Sequence, residues 1–135
     1  MIELSKEKPY EDACKILGLR PVANYKSYKL TDETRNFIKL ETVAKALNEG
    51  WKPTTIDPKE VRYYVWGWNY TDNRKPSGLL CVDSCGGLGG AGAGVGTSLE
   101  FKDRDTAKEF ARMCKPMIVK YLFGRDDHEN FKFDF

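Results

Sequence analysis

Seven of the chain's twelve glycines fall in one eleven-residue stretch, Gly86 to Gly96. Such a run cannot be the interior of a helix or a packed strand. Each glycine loses more backbone freedom on ordering than other residues and brings no side chain to bury. Gly87-Leu88-Gly89-Gly90-Ala91-Gly92 matches G-x-G-x-x-G in form. A dinucleotide loop, however, needs a helix N-terminus after it to meet the pyrophosphate. Here the next segment, Thr97 to Lys102, reads as a strand. No Lys-Ser/Thr follows the glycines, so a P-loop is excluded. What remains is a long hairpin loop. Its plain reading is a flexible connection; its functional reading makes Gly89, Gly90, Gly92 and Gly94 a backbone surface that wraps a ligand or docks in an assembly.

The rest of the chain is of globular type. Its 135 residues suit one domain, 1–135, with 1–8 and 124–135 as terminal arms. An apolar share of 41% argues against disorder. No apolar run approaches the ~20 residues of a membrane span, and the opening MIELSKEKPYED lacks a signal core. Four scattered cysteines do not form a disulfide framework, which favours a reduced, cytoplasmic setting. A net charge of +2 argues against nucleic acid as the partner.

Periodicity predicts the elements. Pro9 and the acids Glu11 and Asp12 open a helix with Tyr10, Ala13, Cys14 and Leu17 on one face, ended by Gly18. Thr31 to Asn48 is the clearest helix, capped by Thr31 or Asp32, with Phe37, Leu40, Ala44, Leu47 and Trp51 in a 3, 4, 3, 4 stripe. Val61 to Tyr70 and Leu79 to Ser84 read as a hairpin of two strands. A third strand is expected at Thr97 to Lys102, then a helix from Arg104 to Phe123 capped by Asp103 and kinked or broken at Pro116. The alternating Phe131, Phe133 and Phe135 predict a C-terminal strand that pairs with a sheet edge, in this chain or a neighbour. The expected fold is α+β: a small antiparallel sheet packed on helices, in the order α-α-β-β-β-α-β.

Three segments carry a resemblance: YEDACKILGL at 10–19, AKALNEGWKP at 44–53, and LEFKDRDTAKEFA at 99–111, with RYYVWGW at 62–68 between the last two. This succession resembles small proteins of Bacteroides-type gut bacteria and of their tailed phages, including crAss-like phages. It covers most of residues 10–123, and ALNEGW followed by a Tyr-Tyr-x-Trp strand is its most specific part. Val65 stands where relatives often carry Pro, and Pro116 interrupts a helix that is usually continuous. The resemblance implies a phage or prophage origin. It carries over no activity and no functional residue.

Two groups of residues stand out as candidates for binding. Tyr64, Trp66, Trp68 and Tyr70 share one face of the first strand, while Val61, Tyr63 and Val65 occupy the other. A strand with two apolar faces is either buried on both sides or turns one to a partner, and exposed Trp and Tyr are common interface anchors and base-stacking platforms. Arg104, Lys108 and Arg112, with Lys115, line the polar face of the last helix; residues 102–125 hold seven basic against three acidic residues. A solvated face is the plain reading of that stripe. A phosphate-binding row is the functional one.

Catalytic signals are weak. The lone histidine, His128, sits among charges with no nameable nucleophile, and G-x-S-x-G and H-E-x-x-H are absent. The cysteines read as buried free thiols, so no metal or cofactor is expected. The sequence therefore points to a non-catalytic phage-encoded protein, a homo-oligomer in the host cytosol, that acts on a host component and sequesters a nucleotide-like or phosphorylated small ligand. The alternative is a minor virion or assembly protein, and a second alternative is a nucleic-acid-binding regulator. No membrane partner is expected.

Overall fold

The computed structural model describes residues 2–21, 30–52, 60–69, 78–86 and 97–135. Its elements run α1 (Pro9–Leu17), α2 (Asp32–Leu47), β1 (Val61–Trp68), β2 (Gly78–Gly86), α3 (Arg104–Phe123) and β3 (Phe131–Phe133). Short 3-10 turns at Thr97–Leu99 and His128–Asn130 precede α3 and β3. The fold is α+β; the described residues form three helices and a three-stranded mixed sheet.

The helix ends follow the chemistry of their termini. Gly18 adopts the left-handed conformation (φ 68°), so its N–H reaches the Lys15 carbonyl at 3.3 Å and the Leu19 N–H reaches Cys14 at 2.8 Å. These two bonds close α1 on carbonyls that would otherwise lack partners. The Thr31 hydroxyl accepts from the Thr34 N–H at 3.1 Å and starts α2. Asp103 accepts from both the Thr106 N–H (2.8 Å) and its hydroxyl (2.7 Å) and starts α3. Within α3 the backbone leaves helical geometry at Cys114 (φ −113°, ψ 18°), two residues before Pro116. Proline has no N–H to donate, and its ring crowds the carbonyl four residues back. The helix bends there and continues to Phe123.

The sheet order is β1-β2-β3. The β1 and β2 strands are antiparallel, with Val65 opposite Val82 and Trp66 opposite Cys81. The C-terminal strand pairs parallel to β2, Gly78 with Phe131 and Leu80 with Phe133. The sheet is thus mixed rather than antiparallel, because a parallel partner must return to the same end and α3 supplies the crossover. Gly78 is required at this join: a Cβ there would collide with the Phe131 ring and the Trp68 carbonyl.

The third strand expected at Thr97 to Lys102 does not form. Residues Thr97–Leu99 make a 3-10 turn, and only Phe101 pairs, through two bonds to Tyr63 of 2.7 and 2.9 Å. The reason is local. The turn leaves three residues before Asp103, which is already committed to capping α3, so the extended stretch lasts for a single bridge. Leu99 and Phe101 are nevertheless both buried.

All three helices contribute to one core. Leu40 and Val43 of α2, Phe110 and Val119 of α3, and Leu80 and Phe131 of the sheet are fully or almost fully buried. Leu4 and Phe131 belong to that core as well. The segments expected as terminal arms therefore pack into the domain. Among the described residues no helix is long and apolar enough to cross a membrane.

Candidate functional site

Side chains alternate between faces along a strand, so β1 sorts its residues into two sets. Val65 faces the helices, lining an interior space of about 10 Å³ with Leu40, Leu99, Phe110 and Ile118. That volume holds at most one water, so this part of the core offers a ligand no room. Tyr63 lies on the same side, its ring 5.2 Å from the Arg104 guanidinium of α3. Tyr64, Trp66 and Trp68 then occupy the face turned away from α3. Trp66 and Trp68 meet edge to face at 5.1 Å, and Trp68 is 56% exposed. Tyr70 lies outside the described residues, as do Gly89, Gly90, Gly92 and Gly94.

Arg62 shares the face of the tryptophans and was missed by the pattern reading. It is fully buried, with Nη1 3.6 Å from Oε1 of Glu100, itself fully buried. The Glu100 carbonyl also accepts from the Asn48 side-chain amide at 3.0 Å. This ion pair links β1 to the segment that leads into α3, and the Asn48 bond ties that segment to the end of α2. Next along the same face, Cys81 lies 3.9 Å from the Asp134 carboxylate. Burial raises its thiol above the usual range, and Asp134 raises it further. Cys14, Cys81 and Cys114 are free and buried, and burial pushes Cys114 up to about 12. Among the described residues no cluster of metal-ligating side chains exists.

The basic stripe forms as the spacing predicts, on the opposite side of the sheet from Tyr64, Trp66 and Trp68. The two candidate groups are therefore not brought together. The stripe has other aromatic neighbours instead. Arg104 sits over Tyr63 and donates from Nη1 to the Val82 carbonyl at 3.0 Å. Lys108 and Arg112 sit 5.9 and 5.3 Å from the Phe135 ring centre, and Lys115 sits 5.3 Å from that of Phe133. Phe133 and Phe135 touch each other at 5.1 Å. Glu109 pairs with Arg112 at 3.5 Å.

The tail reaches this position through a second anchor. The Phe131 ring is stacked on Phe123 at 5.2 Å and covered by the Arg125 guanidinium at 4.8 Å. Arg125 donates from Nε to Asp127 at 2.8 Å, pairs with it again through Nη2, and donates to the Asn69 carbonyl at 3.1 Å. Hydrogen bonds from Arg125 and Asn130 hold the Asp127 carboxyl well below the usual carboxylate range. The alternation of phenylalanines had signalled a strand. It could not signal that their rings would lie against α3, since that follows from pairing with β2.

The residues thus define an α+β domain with an aromatic sheet face on one side and a cation-aromatic surface on the other. No protein-family model, no curated protein and no solved structure matches the chain.

Proposed function

We propose that this chain is a non-catalytic binding protein that takes a phosphorylated, nucleotide-like ligand on the surface made by α3 and β3. One observation carries the reading: Arg104, Lys108, Arg112 and Lys115 each lie within 6 Å of a ring centre, in Tyr63, Phe133 or Phe135. A cation over a ring gives up part of its hydration there and keeps its outward N–H donors for an anion. Arginine donors in a fixed fork suit phosphate oxygens. Phe135, 38% exposed as a residue, lies beside them as an aromatic group within reach of a bound base.

The reading is that of a protein of phage or prophage origin, as the sequence resemblance implies, acting in the host cytosol. His128, the only histidine, lies 3.7 Å from Glu129, away from the α3 and β3 surface that carries the reading. The assembly alternative drew on the phenylalanine tail as a strand for a neighbour. That tail pairs within its own chain, which removes one support for it. Thermal unfolding with nucleoside mono-, di- and triphosphates tests the proposal. A ligand at roughly a hundredfold excess over its Kd stabilises by about 2.7 kcal/mol, which raises Tm by several degrees. No shift with any of them overturns it.

A further inference from the structure

We infer that the ligand of the α3 and β3 surface is a single-stranded polynucleotide, read as successive phosphates and bases along a row. This rests on the proposed phosphate-binding reading and gives it a substrate class. The arrangement is linear. Arg104, Lys108 and Arg112 recur every four residues, which places them ~6 Å apart along the helix. Lys115 extends the row past the bend at Cys114, to a length of ~16 Å. A mononucleotide bunches its phosphates at one end and calls for converging cations. A row of single cations matches a backbone that presents one phosphate after another.

The rings repeat along the same direction. Phe133 and Phe135 are two residues apart, ~6.6 Å along an extended chain, and their ring centres lie 5.1 Å apart. Cations and rings thus form two adjacent rows of similar period. Extended single strands carry the same alternation of charge and flat ring, and base-aromatic stacking tolerates any sequence because every base has a π-face. An acidic peptide would satisfy the cations and leave the rings unused. The overall charge of +2, which argued against nucleic acid, describes the whole chain and not this row. At physiological salt, charges beyond ~8 Å are screened, so a strand on this surface senses the row rather than the whole molecule. The acids nearest the row in sequence are Asp103, which caps α3 through Thr106, the exposed Asp105, and Glu109, paired to Arg112; Asp134, between the two phenylalanines, lies 3.9 Å from the Cys81 thiol on the other face.

Fluorescence anisotropy tests this with the intact chain. The probes are thymidine monophosphate, oligothymidylates of about four and about eight residues, and a polyglutamate peptide. The expected result is affinity that rises with length and falls with salt by a log–log slope of about −0.7 per phosphate engaged. Arg112→Gln should weaken the longer oligomer about tenfold and reduce that slope by about 0.7. Phe135→Leu, which keeps apolar contact and removes the ring, should weaken it about tenfold with the slope unchanged. Trp68→Ala, on the opposite face, should leave binding as it was. Equal affinity for monomer and oligomers overturns the inference and leaves the small-ligand reading standing. Polyglutamate binding as tightly as the oligomers, or Trp68→Ala losing as much as Phe135→Leu, also overturns it. Failure of monomer and oligomers alike takes down both readings.

Discussion

Arg62 and Glu100 are both removed from water, 3.6 Å apart. Burying two ions costs several kcal/mol each before their attraction offsets it. Such a pair is weak evidence of stability by itself, but losing one member is severe because the other stays buried without that opposite charge beside it. Glu100→Gln is therefore expected to destabilise by about 3–5 kcal/mol. Combining Arg62→Met with Glu100→Leu should cost clearly less than the sum of the two single changes. Urea denaturation of the four proteins in this cycle gives the coupling directly, and additive single costs would contradict a mutual role. Neither residue was legible as a core position. An Arg near a strand start reads as solvated, and Glu100 between Leu99 and Phe101 reads as the polar face of a half-buried strand. Their meeting depends on the Tyr63 to Phe101 bridge between distant parts of the chain.

At the scale of elements, β3 does more than its three residues suggest. Phe131 is buried between Phe123, Arg125 and the glycine at position 78. Phe131→Ala should cost about 3–5 kcal/mol and should also lower affinity at the α3 surface, since Phe133 and Phe135 are positioned through it. Denaturation and ligand titration of one variant measure both, and a stability loss with full binding would separate the strand from the surface. The helices were readable because their signals are local: Pro9, Gly18, Thr31, Asp103 and Gly124 act on neighbouring backbone groups. The third strand was misread because alternation over 97–102 describes burial correctly but not conformation. A 3-10 turn and one bridge bury Leu99 and Phe101 equally well. The arrangement of the candidate site was half readable. Helical spacing located the cations, whereas their aromatic partners depended on a tertiary pairing with no local signature.

For the whole molecule, titration predicts stability limits at both ends of the pH scale. Asp103 and Asp127 have folded pKa values below the ordinary 3.8, Asp103 through the Thr106 backbone bond and Asp127 through Arg125. The unfolded chain therefore binds their protons more readily. Their contribution is present above about pH 4 and is lost as the pH falls toward the folded values. Cys114 behaves in the opposite sense. Its folded pKa of about 12 lies above the ordinary 9.0, so its contribution is full below 9.0 and declines as the pH rises toward 12. Tm measured against pH should fall on both sides. Asp127→Asn should flatten the acid limb and Cys114→Ala the alkaline one. An alkaline limb unchanged in Cys114→Ala would show that other groups control it.

The parallel join of β2 to β3 also governs how the chain can fold. The two strands are separated in sequence by all of α3, and their pairing must wait for that helix to be made and to cross the sheet. Hairpin pairing of β1 with β2 needs no such wait. Closure of long loops precedes its reward in contacts and slows folding. The surface that carries the proposed ligand is therefore among the last parts to exist. A nascent or partly folded chain presents Lys108, Arg112 and Lys115 without the phenylalanine rings, and the proposed binding surface is complete only when β3 has paired.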